Sequence, residues 1–139
     1  MNQVNIFAVI TATFFSFFLG FIWYSILFNK QFFKYMEVKS TGEKPSKEVM
    51  IKSFSTFLFF ALFTSYVFGV GLDLYRKSQT EPHWCQSLTY SFIIWLGFFL
   101  PFHTGKVTWE MKKWGVVVLN GSYELVRALG MGLIFWFWP

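Results

Sequence analysis

Three residues that could do chemistry interrupt the apolar and aromatic segment LNGSYELVRALGMGLIFWFWP, residues 119–139. Asn120, Glu124 and Arg127 are spaced three and four residues apart, which places them on one face of a helix. A carboxylate and a guanidinium at this spacing can form an ion pair. The same acid could instead accept a proton or a cation, with the arginine modulating it. We call these three residues the polar stripe.

The polar stripe shares its helix face with small residues, because Ala128 continues it and Gly121 and Gly132 flank it. Helices in membranes approach one another closely where residues are small. We therefore expect Glu124 and Arg127 to face protein or a water-filled cavity instead of lipid.

Two interpretations of the polar stripe remain open at this stage. In the first, a buried ion pair fixes helix packing together with Asn120 and hydroxyls from Ser16, Thr64 or Ser91. In the second, the stripe is a proton relay or binding site. Its possible accessory residues are His103, Tyr24, Tyr123 and Ser65.

The remaining candidates for chemistry argue against an enzyme. His83 and His103 lie twenty residues apart on one predicted helix, which separates them by roughly 30 Å at 1.5 Å per residue. They cannot share a metal ion within one subunit. The sequence has no HExxH motif, no cluster of acids and no glycine-rich phosphate loop. We expect no catalytic residue, no metal site and no cofactor. Cys85 is the single cysteine, so no intrachain disulfide can form.

The elements that must position these residues are apolar helices. The chain of 139 residues is 55% hydrophobic and only 14% charged, whereas soluble domains carry about 25% charged residues. Four stretches are long enough to cross a bilayer, at about residues 5–28, 50–71, 84–105 and 115–138. The sequence predicts an all-α, four-transmembrane-helix bundle that forms a single membrane domain over residues 1–139.

The basic residues predict how this bundle is oriented. Six lysines lie in or beside the first loop and three in the third, against two basic residues in the second loop (Lys30, Lys34, Lys39, Lys44, Lys47, Lys52; Lys106, Lys112, Lys113; Arg76, Lys77). By the positive-inside rule, the first and third loops face the cytoplasm and both termini face out. The net charge of +5 is therefore interpreted as a topology signal, with the lipid bilayer as partner and no nucleic acid.

Local signals mark the helix ends. The segment NKQFFKYMEVK, residues 29–39, predicts a short amphipathic helix along the membrane interface. Ser46 is suited to cap the second helix, and Thr80 in Thr-Glu-Pro is suited to cap the third. Pro101 predicts a kink in the third helix. The segments LGFIWYS and LGFFLPF, from residues 19 and 96, form a weak internal echo.

The segments FIWYSILFNKQFFKYM, WLGFFLP and LNGSYELVRALGMGLI resemble the bacterial membrane-protein family called domain of unknown function 1761. The resemblance covers most of the chain in the same order. It implies a small four-helix, multi-pass protein of the bacterial inner membrane, and it implies no activity. Arg127 departs from the family pattern, so the resemblance does not extend to a shared Glu–Arg pair.

For function, we expect a non-enzymatic structural or accessory subunit. Exposed small-residue stripes favour self-association, so a homo-oligomer, most simply a dimer, or a place in a larger membrane complex is expected. The alternative is a channel or transporter for small ions or solutes that uses Glu124 and Arg127. A lipid- or pigment-binding protein with an aromatic pocket ranks below both.

Overall fold

The computed structural model describes residues 4–36, 46–81 and 83–138, and these residues form an all-α protein. Two of the helical runs contain a short π-helical turn, in which hydrogen bonds span five residues in place of four. The elements in chain order are α1 (Ile6–Phe21), the turn π1 (Ile22–Leu27), α2 (Asn29–Met36), α3 (Lys47–Lys77), α4 (Trp84–Ile94), the turn π2 (Trp95–Phe99), α5 (Leu100–Thr108) and α6 (Trp114–Phe137).

Three of the helical runs in the described chain are long and apolar enough to cross a membrane. They are Ile6–Leu27, Lys47–Lys77 and Trp84–Thr108, and they indicate a membrane protein. The bounds of the first and third lie within three residues of the prediction. The second is longer at both ends than the predicted 50–71. Its last turns hold Asp73 and Lys77, whose side chains form an i, i+4 ion pair that lets the helix continue beyond its apolar part.

Of the two predicted N-cap residues, one caps its helix in the structure and the other does not. Ser46 caps α3 as predicted, since its hydroxyl accepts a hydrogen bond from the Val49 N–H at 3.3 Å. The prediction that Thr80 caps the next helix is wrong. That helix begins at Trp84 with His83 as its N-cap, and the Gln86 side chain accepts a hydrogen bond from the His83 N–H at 3.0 Å. A glutamine at this position satisfies a backbone donor that a capping hydroxyl would leave free.

The amphipathic segment after the first long helix also forms. Helix α2 covers Asn29–Met36, and the rest of the predicted segment, residues 37–39, lies outside the described residues.

Helix α6 is the central element of the bundle. It contributes more buried residues than any other helix of the described chain. Small side chains make close packing possible, because Ala8 and Ala12 of α1 meet Ala128 of α6 in a core that is fully buried. Phe68 and Leu72 of α3 belong to the same core. The polar stripe therefore lies on the helix that contributes the largest number of buried residues in the described chain.

The irregularity expected at Pro101 takes the form of the turn π2, which ends just before it. The Leu100 N–H donates to the Trp95 carbonyl, five residues earlier. Proline has no N–H with which to continue the α-helical hydrogen-bond pattern. The wider turn on its N-terminal side lies where that pattern is interrupted. The turn π1 has no proline near it, yet the Phe28 N–H likewise donates to the Trp23 carbonyl at 2.9 Å. The two segments of the sequence echo thus lie at the two π-helical turns.

Candidate functional site: a buried polar cluster on helix α6

Glu124 and Arg127 form an ion pair in the interior of the protein. Arg127 Nη2 lies 2.7 Å from Glu124 Oε2, and the side chains are only 9% and 15% exposed. Because the residues are three apart on α6, the pair closes within one turn of one helix. The contact joins opposite charges without the alignment of a hydrogen bond, since Oε2 has no hydrogen-bond partner in the described chain.

Aromatic rings surround the guanidinium of Arg127. Its central carbon lies 5.4 Å from the centre of the Phe99 ring and 5.8 Å from that of Tyr123. A cation within about 6 Å of a ring face is attracted to it, and the attraction grows when water is excluded. Phe99 belongs to π2, so a residue of the third helical run shields the charge that α6 carries.

Asn120 is held by a residue from the first helical run. The Tyr24 hydroxyl donates a hydrogen bond to Asn120 Oδ1 at 2.8 Å. The Tyr24 ring lies 5.3 Å from the Tyr123 ring, so these two tyrosines and the polar stripe form one cluster. Tyr24 and Tyr123, named from the sequence as possible accessory residues, therefore both lie beside the polar stripe.

Tyr123 connects α6 to α1 at a pair of small residues. Its hydroxyl donates to the Ser16 carbonyl at 3.1 Å. A side chain on Gly20, one turn further along, would come within 3.2 Å of the same hydroxyl oxygen. The small residues at 16 and 20 therefore allow α1 and α6 to approach each other closely.

Two tryptophans that the sequence analysis did not assign to the site also bond to α6. The Trp23 indole N–H donates to the Leu119 carbonyl at 3.2 Å, and the Trp95 indole N–H donates to the Gly121 carbonyl at 2.7 Å. Both tryptophans belong to π-helical turns. Such turns occur often at functional positions because they redirect side chains. The similar segments LGFIWYS and LGFFLPF, which lie at these two turns, were the feature of the sequence that could have indicated them.

His103 is buried close enough to the cluster to experience its charge. It is 6% exposed, and Lys106 and Arg127 are the charged residues that act on its ring. Its Nδ1 atom and the Nε atom of Arg127 are buried without a hydrogen-bond partner among the described residues. His83, in contrast, is exposed at the start of α4. The structure therefore brings one histidine to the polar stripe and keeps the other away.

The predicted hydroxyl partners bond elsewhere. Ser16 and Ser91 donate to the carbonyls four residues earlier in their own helices, Ala12 and Ser87. Ser65 is fully buried and donates to the sulfur of Met131 at 3.8 Å, one turn beyond Arg127. These serines pack against α6 without bonding to the ion pair.

No curated protein and no solved structure matches the chain. A family model described as protein of unknown function (DUF1761) matches residues 7–136, a span that includes both π-helical turns and the whole polar stripe. Because this match covers nearly the full chain, the protein belongs to the DUF1761 family.

Proposed function

We propose that α6 is a fourth membrane-spanning helix, which makes the chain a four-span protein. Its 24 residues extend about 36 Å at 1.5 Å per residue, enough for a hydrocarbon core of about 30 Å. Its two charges are paired and face the other helices, which lowers the cost of placing them there. The basic loops then face the cytoplasm of a bacterial cell, and both termini lie outside.

Within that arrangement we infer a non-catalytic structural or accessory subunit. The observation that carries this is the closure of the Glu124–Arg127 pair within α6, at 2.7 Å and under the ring of Phe99. A single charge near the bilayer centre costs about 3 kcal/mol on insertion scales. Pairing offsets part of that cost, and the rings of Phe99 and Tyr123 lie against the guanidinium.

The neighbours of the pair support a role in holding helices together. Hydrogen bonds to α6 come from Trp23 and Tyr24 on one side and from Trp95 on the other. Together they join two separate parts of the chain, π1 and π2, to the consecutive residues Leu119, Asn120 and Gly121 of α6. Interhelical hydrogen bonds in membranes contribute about 0.6 kcal/mol each on average, so several are needed to select one packing.

We further propose that the subunit self-associates, most simply as a dimer. Much of α3 presents phenylalanine side chains outward, among them Phe59, Phe60 and Phe63. In a membrane such a face suits lipid as well as a second copy. Cross-linking of Phe60→Cys in native membranes tests this: a disulfide-linked dimer supports self-association, and monomer at all protein concentrations contradicts it. Cys85→Ser is the background, since Cys85 is exposed.

A small-ion or small-solute pathway is the second candidate, and one observation favours it. Arg127 Nε and His103 Nδ1 are buried without partners among the described residues, as expected where a bound ion or water completes a site. Against it, neither of two cavities found in the described chain is lined by Glu124 or Arg127.

Flux through reconstituted protein separates the two candidates. Liposomes with the purified protein are compared with empty ones for proton and potassium flux, using wild type and Glu124→Gln. A structural subunit gives the flux of empty liposomes in both cases. Flux that is present in wild type and lost in Glu124→Gln would assign the pathway instead.

A further inference from the structure

A groove separate from the polar cluster lies between π1 and α2 on one side and the first half of α6 on the other. Its volume is about 550 Å³, which lies in the range of ligand sites in proteins. The residues that line it include Trp23, Gln31, Tyr35, Trp114, Val118 and Ser122. Helix α2 approaches α6 closely at one point, where a side chain on Gly115 would overlap the Tyr35 ring.

The lining combines an apolar wall with a few polar groups. Val118 is 67% exposed on the outer surface of α6, so the wall continues directly onto the outer face of the bundle. Gln31 and Ser122 supply an amide and a hydroxyl inside the groove. Tryptophan and tyrosine rings suit the boundary between lipid tails and headgroups. The groove therefore has the chemistry of a site for an amphiphile.

Four lysines lie next to lining residues of the groove along the chain. The Lys34 ammonium lies 5.7 Å from the centre of the Tyr35 ring, and Lys30 lies one turn earlier on α2, where it is exposed. Lys112 and Lys113 directly precede Trp114 at the start of α6. The short connection before α6 contains a single acid, Glu110, so the segments that border the groove carry more basic than acidic residues.

We propose that this groove binds an anionic diacyl phospholipid, with its headgroup phosphate beside Lys34 and Lys30 and its chains along Val118. Basic pockets beside membrane helices on the cytoplasmic side recognise anionic headgroups, and the positive-inside rule places these lysines on that side. The inference goes beyond the proposed function, because it holds for a structural subunit and for an ion pathway alike.

Competition between two lipids tests the proposal. Detergent-purified protein is titrated with dioleoyl phosphatidylglycerol and with dioleoyl phosphatidylcholine, and retained lipid is counted by native mass spectrometry. Wild type is expected to retain phosphatidylglycerol preferentially. The double variant Lys30→Gln/Lys34→Gln should bind phosphatidylglycerol about thirtyfold more weakly. Each lysine near an anionic lipid contributes about fivefold to the affinity, and the two factors multiply. Equal retention of the two lipids by wild type would overturn the proposal.

A matched control separates a defined site from general attraction to the membrane surface. Lys47→Gln/Lys52→Gln removes two exposed lysines near the start of α3, predicted to lie on the same side of the membrane, and should retain the wild-type preference. If both double variants lost the preference for phosphatidylglycerol equally, the lipid would be attracted by the overall surface charge, and the proposal that it binds in the groove would be overturned. Val118→Trp, which fills the groove with every lysine intact, should also abolish the preference; unchanged retention in that variant contradicts the site. None of these readouts depends on ion flux, so failure here leaves the proposed function standing.

Discussion

Replacing Glu124 by alanine alone should destabilise the protein more than replacing Glu124 and Arg127 together. The single variant leaves the Arg127 guanidinium buried, with its side chain 9% exposed, and no carboxylate beside it. Removing one partner of a buried pair costs about 3–5 kcal/mol in proteins generally. Screening by solvent reduces this little, because both side chains are far less than a third exposed.

The double variant Glu124→Ala/Arg127→Leu leaves no unpaired charge. It loses the attraction of the guanidinium to the rings of Phe99 and Tyr123, which amounts to about 1–2 kcal/mol. The space left by the shortened residue 124 is common to both variants and cancels in the comparison. The double variant should therefore be more stable than the single one by about 2 kcal/mol.

Unfolding of the purified variants in a mild detergent, followed by circular dichroism, measures this difference. The Asp73–Lys77 pair of α3 is the control, because its side chains are 34% and 47% exposed. Exposed pairs contribute about 0–1 kcal/mol, so Asp73→Ala and Asp73→Ala/Lys77→Leu should be nearly equal in stability. Equal stability of the single and double variants at Glu124 and Arg127 would refute the buried pair.

Three further predictions follow from packing, hydrogen bonding and charge. Gly132→Ala should lower the free energy of unfolding by about 1–3 kcal/mol, because its Cβ would lie 2.9 Å from a carbonyl oxygen of α4. Gly97→Ala is the control, since a Cβ there meets nothing within 4 Å, and thermal unfolding compares the two variants. Tyr24→Phe should cost about 1 kcal/mol through one lost hydrogen bond, measured in the same assay, and an unchanged stability would contradict that bond. Cysteine placed at Gln79 should react with an impermeant reagent outside intact cells and cysteine at Lys44 should not, since basic loops stay inside; labelling at Lys44 would reverse the topology.

The long helices could be predicted from the sequence because hydrophobic length is a local property. The three long helical runs, which begin at Ile6, Lys47 and Trp84, are each predicted by a stretch of consecutive apolar residues. The position of the polar stripe could be predicted as well, since the spacing from Asn120 to Arg127 and the nearby glycines define one helix face. In the structure that face lies at the centre of the bundle.

The details of the site could not be predicted, because they depend on contacts between distant segments. The hydrogen bonds from Trp23 and Trp95 join residues 96 and 26 positions apart, and no local rule links them. Tyr24 could be named as a possible accessory residue, but the turn π1 that carries it could not be predicted, because no proline lies near it. The start of α4 was also mispredicted. Capping preferences favour the hydroxyl of Thr80, whereas the helix begins after His83, whose N–H bonds to the Gln86 side chain.

The central claim is that the Glu124–Arg127 pair is enclosed by the other helices, and thiol accessibility beside it tests this most directly. Ala128 lies four residues beyond Glu124 and is 0% exposed. Cysteine placed there, in a Cys85→Ser background, is treated with a water-soluble methanethiosulfonate reagent in proteoliposomes, beside cysteine at the exposed Gln79. A sealed pair predicts reaction at Gln79 and none at Ala128. Rapid labelling at Ala128 in folded protein would show that water reaches the pair and would contradict the account.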